Sequence, residues 1–153
     1  MSEAYLRDEF ERVENCDELD EFCSVSMSNE YDPFKWKAVF IGPKTSPYAG
    51  GFFRLDINFP NNYPNEKPEV YFSTKLFHPN INFGNGRVCI SSLNKWNKNR
   101  SIIEVLFSIY VLLLKPNPED PYNKEAAELY KTDKEQFKKK ANEYVRKYAL
   151  INK

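Results

Sequence analysis

The segment that most limits how this chain can fold runs from Ser101 to Leu114. Ser101 and Glu104 form an S-x-x-E capping box, and Ile102, Ile103, Val105, Leu106, Phe107, Ile109, Leu112 and Leu113 follow, apolar on nearly every face. A helix of this composition is unstable in water and is expected to be central and buried. With Ser108 interrupting it, the apolar run is far shorter than the ~20 residues a membrane-spanning helix needs. The chain opens with no basic-then-apolar leader, and its 153 residues suit one domain over 1–153. It is read as intracellular, in cytoplasm, nucleus or both, without a membrane partner.

Two runs of period two supply material for a sheet. In the first, Phe34, Trp36, Ala38 and Phe40 alternate with Lys35, Lys37 and Val39; in the second, Phe53, Leu55, Ile57 and Phe59 alternate with Phe52, Arg54, Asp56 and Asn58. Gly42-Pro43 and Gly50-Gly51 lie between them as turn signals, which predicts an antiparallel hairpin. Residues 22–27 and 70–72 read as flanking strands of a four-strand meander. Ahead of the sheet, Leu6, Phe10 and Val13 share one face of a first helix, with Ser2 as its N-cap. After residue 101 come the buried helix, a short helix capped by Asn123, and an amphipathic helix marked by Phe137, Ala141, Tyr144 and Tyr148. Thr132 with Glu135 reads as the capping box of that last helix. The fold class is therefore α+β: an N-terminal helix, a four-stranded antiparallel meander, a long loop and three C-terminal helices.

That loop, residues 73–100, holds the only histidine, His78, and the only cysteine beyond residue 23, Cys89. Irregular stretches of this length inside a compact domain are more often functional than idle. Cys16, Cys23 and Cys89 cannot all pair, and with His78 they lack the C-x-x-C spacing of a zinc site, so neither a disulfide framework nor a metal is expected. A lone cysteine can be a small buried hydrophobe. Here a Gly84-Asn85-Gly86 turn precedes it, Ser91, Ser92 and Asn94 follow, and Lys95, Lys98 and Arg100 stand near with no acid between Arg87 and Arg100. Positive charge and partial exposure favour the thiolate. His78 precedes a proline, which suits a structural role better than that of a base. A thiol without a strong base suits exchange of an already activated acyl group, although a Cys-His hydrolase stays open on these residues alone. Asn80 can donate hydrogen bonds to an oxyanion or simply close a turn after Pro79.

Charge is distributed unevenly. Residues 1–21 carry nine acids (Glu3, Asp8, Glu9, Glu11, Glu14, Asp17, Glu18, Asp20 and Glu21) against Arg7 and Arg12, whereas bases dominate from Lys131 to Lys153. The net charge of zero excludes the overall footprint of a nucleic-acid binder; a dipolar surface can steer a charged protein partner.

Taken together, His78-Pro79-Asn80, Cys89 eleven positions after the histidine, Trp96, the proline-rich Phe59 to Pro68 stretch, the Gly42 to Gly51 turn region and Pro116-Asn117-Pro118-Glu119-Asp120-Pro121 resemble the ubiquitin-conjugating enzymes over nearly the whole chain. The resemblance implies an enzyme whose cysteine, Cys89, accepts the C-terminal carboxyl group of ubiquitin from an activating enzyme as a thioester. A substrate lysine or a ligase cysteine then attacks that thioester. On the matched positions Asn80 stabilises the oxyanion or holds the loop, His78 braces Asn80, and Asp120 orients and deprotonates the amine. Asn117 and Ser91 support the site. Implied partners are ubiquitin or a ubiquitin-like protein, the activating enzyme, a ligase of RING or HECT type and a substrate protein, the chain itself acting as a monomer. Leu6, Asn65, Lys98 and Asn99 stand at positions expected to meet partners, and Ser24 on the sheet face would bind a second ubiquitin. No cofactor is expected, because ATP is used by the activating enzyme.

The chain also departs from that pattern. His78 to Cys89 is one residue longer than is common and Cys89 to Trp96 one shorter; Ser91 stands where many relatives carry an acid. Asn65 and Asn97-Lys98-Asn99 replace the apolar residues frequent at the ligase groove, and the first helix is acidic rather than basic. Residues 117–128 are reminiscent of the neddylation branch, which makes a ubiquitin-like modifier of that type the alternative. A SUMO-type enzyme ranks below both, and a non-catalytic ubiquitin-binding subunit usually lacks the cysteine retained here.

Overall fold

Alternation along the two aromatic runs becomes the inner face of an antiparallel sheet. The structure, a computed structural model, describes residues 2–150. Strands β1 (Cys23–Asn29), β2 (Asp32–Ile41), β3 (Phe52–Asn58) and β4 (Glu69–Phe72) lie in the order β1-β2-β3-β4. In the register of β2, Phe40 faces Cys23 and Phe53, Ala38 faces Val25 and Leu55, and Trp36 faces Met27 and Ile57. Residues opposed across antiparallel strands share a face. These side chains therefore form one apolar layer, extended by Val70 and Phe72 of β4. The other face carries Ser24, Lys37, Arg54 and Asp56 and stays open to solvent, as period two requires.

Six helices surround the sheet among the described residues: α1 (Ser2–Glu14), α2 (Asp17–Asp20), α3 (Ser91–Asn94), α4 (Ile102–Leu114), α5 (Lys124–Thr132) and α6 (Lys134–Tyr148). The short α2 and α3 are additions to the sequence reading. Helix α4 lays Ile102, Val105, Leu106, Ile109 and Leu113 into the core. It is not enclosed on all sides, however: Val111 and Leu114 are 54% and 44% exposed. Its apolar outer side forms one wall of the cavity beside Cys89. No helix among the described residues is long and apolar enough to cross a membrane.

Three helix ends differ from expectation. Ser2 lies inside α1 and donates its hydroxyl to the Asn61 carbonyl at 2.6 Å, so it is not a cap. The cap of α6 is Asp133, whose carboxylate accepts from the Gln136 amide, while Thr132 ends α5 and donates to the Glu128 carbonyl. Asp and Thr are both good N-caps, and two of them in succession leave the sequence ambiguous by one position. Asn123 caps α5 as its sequence predicts. At α4 the Ser101 hydroxyl accepts from the Glu104 amide, but the Glu104 carboxylate pairs with Arg100 instead of reaching back to complete the box.

The first amide of α4 is satisfied by a residue 93 positions away: Ile102 donates to Glu9 Oε2 at 2.7 Å. The second oxygen of that carboxylate accepts the Tyr63 hydroxyl, also at 2.7 Å. Glu9 is 1% exposed, so it is not one of the surface acids of α1, contrary to the sequence reading. Its charge is tolerated because both oxygens are bonded and one faces the positive end of a helix. Leu6, expected on a partner surface, is fully buried in the core. The Glu9 carboxylate thus ties α1, the proline-rich loop and α4 together; Trp96 closes the same corner by donating its indole N–H to the Pro64 carbonyl at 2.8 Å.

Replacing Glu9 by Ala leaves the Tyr63 hydroxyl and the Ile102 amide without their acceptor. Charge-assisted hydrogen bonds contribute roughly 1.5–3 kcal/mol each, so the variant is expected to lose about 3 kcal/mol or more in urea unfolding. A loss under about 1 kcal/mol contradicts this account.

Candidate active site around Cys89

Cys89 is positioned by a short, hydrogen-bonded turn. Asn82 accepts from the Gly86 amide at 2.9 Å and donates to the Arg87 carbonyl at 2.8 Å, and Val88 is bridged to Ile81. Gly86 has φ +74°, and a Cβ there would meet the Phe72 carbonyl oxygen at 2.0 Å. Only glycine fits, since Phe72 donates to the Gly86 carbonyl at 2.8 Å and the two backbones touch. The Cys89 amide then donates to the Asn80 carbonyl at 2.8 Å, which places the cysteine directly beside the His78-Pro79-Asn80 segment. Loop 73–100 is therefore ordered by its own bridges and by α3, and is less irregular than its composition suggests.

Cys89 is 8% exposed, against the partial exposure expected of it. The cationic surroundings are also thinner than the sequence implies. Arg87 is paired with Glu69 at 3.2 Å and Arg100 with Glu104, which leaves Lys95 as the base that lines the cavity with Cys89. The Asn94 side-chain amide donates to Cys89 Sγ at 3.5 Å.

His78 is wholly buried. Its Nδ1 accepts the Asn80 amide at 3.0 Å, so the ring proton resides on Nε2, which donates to the Leu112 carbonyl of α4 at 2.7 Å. Burial drives the ring pKa down to about 4, partly opposed by the bond to Leu112. A neutral imidazole with both nitrogens engaged is a brace and cannot serve Cys89 as a base. The Asn80 side chain, 1% exposed, makes a reciprocal pair with Asn117: Nδ2 donates to the Asn117 carbonyl at 2.7 Å, and Oδ1 accepts the Asn117 amide at 2.8 Å. The Pro79 carbonyl accepts from both Tyr122 and Asn123, at 2.9 and 3.0 Å. Four hydrogen bonds thus fasten loop 115–123 to the segment 79–80.

That fastening carries Asp120 to the rim of a cavity of about 660 Å³ which it shares with Asn80, Cys89, Ser91 and Asn117. Phe107, Val111 and Leu112 of α4 form the opposite, apolar wall. Cys89, Asn80, Asp120, Asn117 and Ser91 are therefore brought together. Asn65, Lys98 and Asn99 are exposed and lie outside this cavity; Asn65 borders a separate groove with Trp96, and Ser24 sits on the outer face of the sheet. Among the described residues no cluster of three or more His, Cys, Asp or Glu side chains is arranged to hold a metal.

Two neighbours of the sulfur were not singled out from the sequence. Asn94 belongs to no motif, and nothing in its spacing marks it. Tyr122, directly after Asp120-Pro121, carried a signal as an aromatic in a polar loop. Its phenol pKa is raised by partial burial, then by the charge and hydrogen bond of Cys89 and by Asp120.

Since His78 is the only histidine, its ring signals are unambiguous in proton NMR. The expected midpoint is about 4, not 6.5. Because the folded pKa lies below the unfolded one, the unfolded chain takes up the proton first. Stability is whole above pH 6.5 and falls as pH drops toward 4, by about 3 kcal/mol from this residue. A ring midpoint near 6.5 rules out the bracing network.

The fold is shared with known proteins. The family model described as ubiquitin-conjugating enzyme matches residues 5–145. A provisionally named ubiquitin conjugating enzyme from Plasmodium yoelii is similar in structure with a TM-score of 0.86 and 33% identity, over 96% of this chain and 94% of that one. The E2 domain of a Toxoplasma gondii ubiquitin conjugating enzyme also has a TM-score of 0.86, with 30% identity over 97% of this chain and 99% of that one.

Proposed function

This chain belongs to the ubiquitin-conjugating enzyme family, and on that premise we propose that Cys89 accepts the C-terminal carboxyl group of ubiquitin from an activating enzyme as a thioester and passes it to a substrate lysine, usually with a ligase. The observation that carries the reading is the shared cavity in which Cys89, Asn80 and Asp120 face one space, with Asp120 fixed there by the clasp of loop 115–123. A neutral braced histidine supports a carrier over a hydrolase. A carrier needs no resident base to activate its nucleophile against an acyl group that arrives already activated.

In this reading each residue has one task. Cys89 holds the acyl group. An Asn amide has two N–H donors, and Asn80 commits one to Asn117; the other meets the oxyanion as the lysine amine adds to the carbonyl. Asp120 orients the amine and takes its proton, since only the neutral amine attacks. Ser91, exposed beside the cysteine, adds no charge at the lip. Asn117 is the anchor of the loop through its backbone.

Partner surfaces follow from exposure. The outer side of α1, without Leu6 or Glu9, is offered to the activating enzyme, and it stays acidic through Asp8 and Glu11. Asn65, Lys98 and Asn99 offer a ligase polar contacts, and Ser24 lies on an open sheet face where a second ubiquitin can rest.

Incubation with activating enzyme, ATP and ubiquitin is expected to give a thiol-sensitive adduct that is absent from Cys89→Ala. Parallel reactions with ubiquitin-like modifiers and their own activating enzymes identify the modifier; charging by a neddylation-type modifier alone replaces ubiquitin with it, and no charging by any of them refutes the proposal. Asp120→Asn is expected to charge normally but to discharge to free lysine more slowly by about 100-fold or more, in line with the contribution of a positioned base. Equal discharge rates remove Asp120 from the mechanism.

A further inference from the structure

Asn94 occupies an unusual position: it lines the cavity that holds Asp120, the groove on the Tyr122 side, and the groove beside Trp96. The first of these spaces also holds Cys89, to whose sulfur the Asn94 side-chain amide donates at 3.5 Å. The position is fixed locally, because Asn94 closes the single turn of α3 by donating its backbone N–H to the Ile90 carbonyl at 3.0 Å.

We propose that Asn94 is a catalytic donor to the Cys89 sulfur that stabilises it as a leaving group. This role rests on the carrier reading of Cys89 given above. During transfer the lysine nitrogen bonds to the thioester carbonyl carbon, and the amine proton passes to Asp120 or water. The C–S bond then breaks, with its electron pair going to Sγ. A thioester sulfur is a poor hydrogen-bond acceptor and a thiolate a good one. A donor held at Sγ therefore interacts more strongly as the bond breaks, which is the condition for lowering a barrier. The arrangement also answers the pairing of Arg87 and Arg100 with carboxylates: a neutral donor does at the sulfur what the flanking bases, turned to Glu69 and Glu104, do not.

The test is single-turnover discharge of the preformed Cys89–ubiquitin thioester, with wild type and Asn94→Ala compared at equal fold stability by thermal unfolding. Two amines serve as acceptors, free lysine and the weakly basic hydroxylamine. A weakly basic amine is itself readily expelled from the tetrahedral intermediate, so C–S cleavage limits its reaction and leaving-group help counts most there. Asn94→Ala is expected to slow discharge to hydroxylamine about tenfold, as the loss of one hydrogen bond to a charged group implies, with a smaller deficit for lysine. A structural fault at the lip, which misplaces Asp120, would weigh on lysine instead. Equal deficits for both amines, a larger deficit for lysine, or no deficit overturn the role of Asn94 while leaving the carrier reading intact. Failure of the wild-type chain to charge overturns both.

Discussion

The site hangs on a neutral imidazole. His78 accepts a proton contact on one nitrogen and donates on the other, and in doing so joins the Asn80 backbone to the end of α4. Protonating the ring would set two donors, Nδ1–H and the Asn80 amide, against each other in a space closed to water. Everything beyond that bond inherits its geometry: the Asn80 amide plane, the Asn117 backbone it clasps, and through loop 115–123 the placement of Asp120. Burial is what keeps the ring neutral, so the hydrophobic core and the polar site are parts of one arrangement and not two.

A similar economy governs the core's one buried carboxylate. Glu9 carries its charge inside because it meets the amide at the start of a helix and a phenol hydroxyl, and the phenol in turn holds its proton more firmly for being buried beside that charge. Among the described residues the buried polar side chains of Glu9, His78 and Asn80 are thus bonded, and only the Ser92 hydroxyl is buried without a partner. The aromatic layer around them, from Phe10 against Trp36 to Phe59 against Tyr63, supplies the dry surroundings in which such bonds are strong.

How much of this could be read from the residues depended on period and on neighbourhood. The strands were legible because alternation fixes both secondary structure and face, and the register of β2 with β3 follows the predicted pairing of the two aromatic runs. Helices α2 and α3, of four residues each, are too short to show a period. Glu9 was illegible for a different reason: an acid on an acidic helix looks solvated until the amide 93 residues later is placed beside it. Leu6 was assigned to a surface although its own helical spacing with Phe10 and Val13 pointed inward. At the site, His78, Asn80 and Asp120 could be matched as a pattern, but that Asn80 spends its side chain on Asn117 depends on a fold contact 37 positions apart. The near-complete burial of Cys89 went against a polar neighbourhood, because local composition does not report what folds over it.

The Glu9 bond also makes α1 a lever. The outer side of α1 is where an arriving partner is proposed to push, and the inner side holds the first amide of α4. Two residues further along, α4 begins to line the cavity of the cysteine with Glu104, and it continues with Phe107 and, one turn later, Val111. A load that tilts α1 must therefore carry the start of α4 with it or pull a charged oxygen from its amide in a dry interior. The same bond thus joins the seat of α1 to the helix that walls the cleft.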